Sequence, residues 1–409
     1  MKILLINNFD YIRGGSDSVF IETAKLLSEK GHEVAIFTAR DMNVEPMDLS
    51  PKIQKYFTED IFSNSKINTI KKSLYFLKNS IAQSDLQHCI DEFNPNIIHL
   101  HIFQSRLSSF IIRTVKSNNI PMVMSVHEYK ILCPAYHHLD GENKICEKCN
   151  NLNYTPCITN RCVDNSIAKS TLMAIESYSR DLFTSYLNNI EKFIMVSKFI
   201  QNKHTFRYHN HADKFTQIYN FVDSKKYKTD YNFGNYLLYF GRLSKEKGLT
   251  TLLKVAKVLP HITFKIAGRG GLEALLRNYV DENHLKNVEF IGFQSGDDLL
   301  DLIKFARFTI APSECYETLG MNIIESFCLQ TPVIGANIGG IPELIIDNET
   351  GYLFNSKDKI DLEKVIKKAW NIFIEEHIIL SGQARKYALQ MFDKEKHYQE
   401  LSNVYQSIL

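Results

Sequence analysis

Two successive α/β domains, each a parallel sheet wound with helices, are what this 409-residue sequence predicts. A strand, a glycine loop, a helix and a second strand open the chain over residues 2–38. The same alternation restarts near Asn235, after a stretch with the character of a linker. The length leaves room for two or three separate cores.

Bulk properties narrow the function classes. The formal net charge is +2, so nothing global argues for a nucleic-acid partner. The opening MKILLINNFD has an apolar run too short for a secretion signal and better suited to a first strand. No uncharged apolar run is long enough to span a bilayer. The expected setting is a reducing cytoplasm, where the eight cysteines serve as metal ligands or free thiols rather than disulfides.

Lys2–Asn8 is β-branched and leucine-rich and reads as the first strand. Gly14-Gly15-Ser16 follows. It leads into a helix over Val19–Lys30, with Phe20, Ala24 and Leu27 at helical spacing and Gly31 as its stop. A glycine turn feeding a helix start offers backbone N–H groups to an anion, so Gly14 and Gly15 are candidate phosphate contacts. A plain tight turn is the competing reading. His32–Thr38 is the second strand, and residues 41–65 read as loop or short helices. Lys66–Ala82 is expected to be one amphipathic helix. Ile67, Ile70, Leu74, Leu77 and Ile81 share a face, with Lys66, Lys71, Lys72 and Lys78 around them. A surface helix and a membrane-surface contact both suit it. Ile97–His101 and Met122–His127 are strands that end in histidine. Ligands of wound sheets gather beyond the carboxyl ends of strands, which makes His127 a site candidate and His101 a weaker one.

Residues 133–162 break the pattern. Cys133, Cys146, Cys149, Cys157 and Cys162 crowd into a segment rich in Asn and charge. The pairs Cys146/Cys149 and Cys157/Cys162 have the spacing of a four-thiolate zinc site, with Cys133, His137 and His138 as spare ligands. So short an insertion has little core of its own, and a metal would supply its folding energy. An iron–sulfur cluster and unligated thiols are the other readings. Cys89, Cys315 and Cys328 read as packing residues. Residues 166–190 read as helix, and Phe193–Val196 as the last strand of the first domain.

The domains are expected at 1–215 and 216–390, with 391–409 free to pack back on the first. Strands of the second are expected at Tyr236–Gly241, Ile262–Ala267, Val288–Phe293, Phe308–Ala311 and Pro332–Gly335. Past the first of them stand Arg242 and Lys247, a guanidinium fork and a point charge at a helix start. The helix dipole disfavours cations there, so the pair invites an anionic ligand. Gly268-Arg269-Gly270-Gly271 makes a second loop where backbone can approach a ligand closely. Glu317 and Glu325 are eight residues apart. On a continuous helix that is about 12 Å along the axis, too far for a hydrolytic carboxyl pair at roughly 5–9.5 Å. They suit two parts of one long polyol instead, with the turn at Gly320 aiming N–H groups between them.

GRLSKEKG at 241–248, with Glu317-x7-Glu325, Pro332-Val333-Ile334 and Gly339-Gly340-x2-Glu343, resembles the family-four retaining glycosyltransferases of the GT-B fold. The resemblance covers both halves and is tighter in the second. It implies two facing Rossmann-like domains, with a nucleotide-sugar held by the second and the acceptor mostly by the first. Arg242 and Lys247 would then neutralise the donor diphosphate, Glu317 would touch the transferred sugar and Glu325 the ribose. Gly15 would offer its N–H to phosphate, and His127 would line the sugar pocket. Gly14, Gly268, Gly270, Thr318, Leu319 and Gly320 complete the expected binding residues. Such enzymes need no catalytic metal, which leaves zinc a structural role. The implied acceptor is a glycan or a lipid-linked glycan in surface polysaccharide assembly, at the inner face of a membrane.

The sequence departs from the family pattern at three places. Gln330 stands where glycine is frequent, Arg269 where an acidic residue is common, and the cysteine segment is not general. A nucleotide-sugar epimerase of the same architecture and a silent zinc-containing sugar-nucleotide-binding protein are the alternatives. A dinucleotide oxidoreductase is excluded, because no Gly-x-Gly-x-x-Gly loop follows the first strand.

Overall fold

The structure, a computed structural model, describes residues 1–47, 49–150, 152–229, 231 and 233–409. Internal contacts divide the chain into two units, residues 1–220 with 395–409 and residues 221–394.

The first unit is built on strands β1 (Lys2–Ile6), β2 (Glu33–Arg40), β3 (Ile53–Glu59), β4 (Ile97–Leu100), β5 (Met122–Val126), β6 (Lys192–Met195) and β7 (Phe215–Gln217). They lie in the order β3-β2-β1-β4-β5-β6-β7, and every neighbouring pair is parallel. Ile3, Leu4, Leu5 and Ile6 are wholly buried, as a central parallel strand covered on both faces requires. β3 falls within 41–65, where the sequence reading has only loop or short helices. It is an edge strand carrying Gln54, Lys55 and a half-exposed Phe57, so it lacks the continuous apolar run of its neighbours.

The expected helix at 66–82 is two helices. Thr69–Leu77 ends at Lys78, and Ser80–Phe93 begins afresh. Asn79 divides them: its side chain accepts the Ala82 N–H at 3.0 Å and caps the second helix. The first helix buries none of its residues and leaves Ile70 and Leu74 exposed. The chain's last helix, Lys394–Gln406, returns to the first unit. Leu401, Val404 and Tyr405 complete the core around Ile3, Leu5, Ile36 and Ile97.

The second unit has β8 (Tyr236–Phe240), β9 (Thr263–Ala267), β10 (Val288–Gly292), β11 (Phe308–Ala311), β12 (Val333–Ala336) and β13 (Gly351–Phe354). Their order is β10-β9-β8-β11-β12-β13, again all parallel. In each sheet the strand order reverses beside the first strand, between β1 and β4 and between β8 and β11. The carboxyl ends of those strands therefore open on a crevice suited to a ligand. Gln330 has φ 59°, the left-handed turn that glycine would take without strain. Among the described residues, no helix is long and apolar enough to cross a membrane.

Candidate functional site

In the second unit the loop after β8 and the loop after β11 are held together by backbone. Gly248 has φ 71°, and a Cβ there would lie 1.8 Å from the Pro312 carbonyl oxygen. The Glu314 N–H donates to the Glu246 carbonyl at 2.8 Å, and the Thr251 hydroxyl donates to the Glu314 carboxylate at 2.6 Å. From below, the Gly339-Gly340 turn supports the second loop. A Cβ on Gly339 would come 2.4 Å from the Glu317 nitrogen, and the Gly340 N–H donates to the Glu317 carbonyl at 2.8 Å.

These contacts bring Lys247 and Glu317 together. Lys247 Nζ donates to Glu317 Oε1 at 2.5 Å, with the side chains 22% and 17% exposed. Ser313 Oγ donates to the same oxygen at 2.5 Å. Burial would raise the Glu317 carboxyl, but Lys247, Ser313 and Arg242 together hold it below its ordinary value. Burial likewise opposes the Lys247 charge, and Glu317 overcomes it, so the ammonium pKa rises. The sequence reading gives these residues separate roles, Lys247 on the diphosphate and Glu317 on the sugar; the structure makes them an ion pair at the β8/β11 crevice. Arg242 is exposed beside them.

Gly320, at φ 113°, precedes the helix Met321–Cys328, and its carbonyl accepts the Ile323 N–H at 3.0 Å. Thr318 is partly exposed and Leu319 is buried. Glu325 sits on that helix, partly buried. Burial alone pushes its carboxyl up to about 7, with no cation or hydrogen bond to offset it. Gly268 and Gly270 approach protein rather than open space. A Cβ on the first would lie 1.9 Å from the Gly241 carbonyl oxygen, and one on the second 2.3 Å from that of Leu243. Their lack of a side chain lets the β8 and β9 loops pack.

In the first unit, Gly14 and Gly15 are exposed at the start of the helix Gly15–Glu29, just past β1. Gly14 is extended, with φ −168°, and a Cβ there would meet nothing within 4 Å. No backbone requirement explains this glycine. His127 follows β5 and stacks on His101, with ring centroids 5.2 Å apart and Nε2 at 3.0 Å from His101 Nδ1. Burial lowers both imidazoles, His127 to about 4, so both are neutral at pH 7. His101 Nε2 is buried with no partner among the described residues. An orphaned N–H is rarer than an orphaned acceptor, so the His101 proton belongs on Nδ1, where it donates to His127 Nε2. His127 then carries its own proton on Nδ1.

Two features beside His127 escape the sequence reading. Glu128 is pushed up to about 7 by burial, against the pull of Lys130. Lys130, buried, pairs with the buried Glu176 at 2.7 Å, and Arg180 Nη1 donates to the Lys130 carbonyl at 2.8 Å. A lysine three residues past His127 carries no pattern that marks it as buried; its partners come from a helix some fifty residues later.

The expected set of Cys146, Cys149, Cys157 and Cys162 lies in one neighbourhood, where Cys157 hydrogen-bonds Cys162 and Cys149 stands beside Cys146 and Cys162. Cys157 is fully buried and its thiol donates to the Ser170 carbonyl at 3.8 Å. Cys133, expected only as a spare, lines a small cavity with Cys146, Cys149 and Cys162. Among the described residues, no three His, Cys, Asp or Glu side chains stand close enough to hold a metal as they are.

A cation–carboxylate pair at the switch point of a parallel sheet, in one of two wound α/β units, is the architecture of a GT-B transferase. Residues 13–226 match the family described as Glycosyltransferase Family 4, and residues 223–384 match that described as Glycosyl transferases group 1. The chain belongs to glycosyltransferase family 4. An uncharacterized glycosyltransferase of Methanocaldococcus jannaschii is 30% identical over 231 residues, 56% of this chain and 63% of that protein. The match thus spans less than two thirds of that relative. The N-acetyl-alpha-D-glucosaminyl L-malate synthase of Bacillus anthracis is 22% identical across 97% of this chain and 94% of its own. Among solved structures, sucrose-phosphate synthase from Thermosynechococcus elongatus superposes with a TM-score of 0.76 at 18% identity, over 99% of this chain and 98% of that one. HepE of Anabaena, in complex with UDP and glucose, gives 0.69 at 18% identity, with 100% of both chains covered. These likenesses show the fold, two parallel-sheet α/β domains of the GT-B type.

Proposed function

We propose that this chain is a retaining glycosyltransferase that moves a sugar from a nucleoside-diphosphate sugar to a glycan or lipid-linked acceptor in surface polysaccharide assembly. The observation that carries the reading is the Lys247–Glu317 pair at the β8/β11 crevice, with Arg242 beside it. Arg242 and Lys247 take up negative charge as the diphosphate leaves, where a fixed cation lowers the barrier most. Glu317 accepts from hydroxyls of the transferred sugar, and Glu325, with no partner for its carboxylate among the described residues, accepts from the ribose diol. The helix start at Gly320 turns N–H groups toward the phosphates, with Thr318 and Leu319 alongside. In the first unit, His127 presents its Nδ1–H to a sugar hydroxyl, and Gly14 and Gly15 offer backbone N–H to phosphate. The leaving phosphate accepts the acceptor's proton on the same face, so the step uses no catalytic metal. The exposed apolar face of Thr69–Leu77, with Lys71 and Lys72 on the same helix, suits contact with an anionic membrane surface on the cytoplasmic side.

The test is a panel of nucleotide-sugars, starting with UDP-sugars because HepE is a UDP-bound relative in fold. Binding of at least one donor, with slow hydrolysis in the absence of acceptor, is the expected result. No binding to any donor would overturn the reading. Conversion of the sugar within the donor, with no transfer, would replace it by the epimerase. Vesicle binding that survives Lys71→Glu with Lys72→Glu would sink the membrane contact.

A further inference from the structure

The segment that follows His127 is ordered with little regular structure to hold it. Among the described residues between Cys133 and Ser166 the only helix is the five-residue Thr155–Thr159. Isolated bridges join Leu139 to Ile145 and Asn150 to Asn153. Tyr136, His138, Leu152 and Arg161 take left-handed backbone, with φ of 57°, 52°, 59° and 47°. Tyr136, Leu152 and Arg161 are not residues that visit this region readily, so something in the segment must over-determine them. Its apolar core is too thin for that. The feature that gathers its parts is a set of sulfur atoms.

Three local devices bring the sulfurs together. The turn after Tyr129 donates the Cys133 N–H back to the Tyr129 carbonyl at 2.7 Å, which fixes Cys133 at the base of the segment. The strand pair around Leu139 and Ile145 folds Cys146 under His138, whose carbonyl accepts the Cys146 N–H at 2.9 Å. Gly141 then docks this hairpin on the turn before Cys162. Its N–H donates to the Asn160 carbonyl at 2.9 Å, and a Cβ there would lie 2.7 Å from the carbonyl oxygens of both Asn160 and Arg161. Asn160 Nδ2 in turn approaches Cys146 Sγ at 3.7 Å, a donor aimed at sulfur. Cys133, Cys146, Cys149 and Cys162 thereby line one small cavity of about 10 Å³, near the minimum that holds a water or an ion. Cys157 lies outside that lining; its thiol donates to the Ser170 carbonyl, and its side chain also hydrogen-bonds Cys162.

We propose that Cys133, Cys146, Cys149 and Cys162 bind one structural zinc ion as four thiolates. The sulfurs do not stand at ligating distance, so binding requires them to close to Zn–S near 2.3 Å around the ion. Four soft ligands and no open position favour a structural ion over a catalytic one. On binding, four thiol protons leave to solvent and the ion takes their place. The ion ties Cys133, and through it Tyr129, to the rest of the segment. Its effect on the enzyme would run through the backbone that carries His127.

The test is the metal content of full-length protein expressed and purified without added metal, measured by plasma mass spectrometry. One equivalent of zinc is expected. Cobalt exchanged into the site should show thiolate charge-transfer and tetrahedral d–d bands. Cys133→Ser, Cys146→Ser, Cys149→Ser and Cys162→Ser should each lose the metal, while Cys157→Ser keeps it. Should a ligand variant fail to fold, zinc release by a mercurial from the wild type, read against titrated thiols, gives the stoichiometry without mutation. Sub-stoichiometric zinc with a melting temperature unmoved by chelator would overturn the site. So would disulfides found by mass spectrometry in the freshly isolated protein, or an iron–sulfur chromophore. Metal lost from Cys157→Ser but kept in Cys133→Ser would overturn the ligand set. Metal content and spectra do not depend on transfer activity, so these outcomes stand apart from the sugar-transfer reading.

Discussion

Replacing Glu325 by glutamine should stabilise the second unit in alkaline solution and weaken donor binding. The carboxyl titrates at about 7 in the folded chain against an ordinary 4.5, and burial is the only cause. An acid whose folded pKa is raised keeps its proton to higher pH than the unfolded chain does. Ionising it therefore costs the folded state nothing below pH 4.5 and the full amount above 7. At about 1.4 kcal/mol per pK unit, the penalty is about 3 kcal/mol at pH 8 and about 1 kcal/mol at pH 5. Glutamine carries no such penalty, so the variant should gain roughly these amounts. Trp370, the only tryptophan, lies on the helix Lys359–Trp370 of the second unit, so its fluorescence during urea unfolding reports on that unit. A gain independent of pH, or no gain at pH 8, would refute the burial argument. Donor affinity should fall about tenfold or more, since hydrogen bonds to a charged group contribute roughly 1.5–3 kcal/mol. Unchanged affinity would remove Glu325 from the ribose.

Glu317→Ala should lower kcat/KM at least 100-fold, about 3 kcal/mol of transition-state stabilisation. It should also cost about 1–2 kcal/mol of stability, because Lys247 is left without its partner but keeps some access to water; full activity would remove the assigned role. Gln330→Gly should raise stability by roughly 0.5–1 kcal/mol in urea, since the left-handed turn no longer carries a side chain; a loss would show that the Gln330 side chain makes up for its strain. His99 and His127, lowered by burial to about 3 and about 4, should remain neutral in imidazole NMR spectra down to pH 5. Their depressed pKa values add stability that is complete above pH 6.5 and drains away as the pH falls toward 4. Midpoints near 6.5 would contradict the buried stack.

The alternation of strand and helix was legible because central parallel strands are continuous apolar runs, as in β1, β5, β8 and β11. Of the edge strands, β10 was legible and β3, β7 and β13 were not, β7 lying beyond the strand at Phe193–Val196 expected to be the last of the first domain. β3, with Gln54 and Lys55 in its span, and the four-residue β13 are carried by neighbours rather than by their own pattern. Lys66–Ala82 kept its helical period across a break, because the period does not register that the Asn79 side chain is free to cap a new start. In the cysteine segment, spacing grouped Cys157 with Cys162. Cys157 does hydrogen-bond Cys162, as well as the Ser170 carbonyl, and the chain adds Cys133, folded in from the far side.

The residue types and their order, then, determine the two wound sheets, the cations after β8, the carboxylates after β11 and the histidines after β4 and β5. These follow from local composition and from the rule that ligands gather at strand ends. Tertiary structure decided what those groups do to one another. Lys247 and Glu317 are 70 residues apart in sequence, and only the close packing of Gly248 on Pro312 and of Gly339 on Glu317 makes them a pair. Glu325 has an unusual acidity because the fold buries it without a cation, and His127 has its tautomer because His101 stacks behind it. Charge, burial and proton position depend on distances between segments remote in sequence, and the sequence itself carries no such distances.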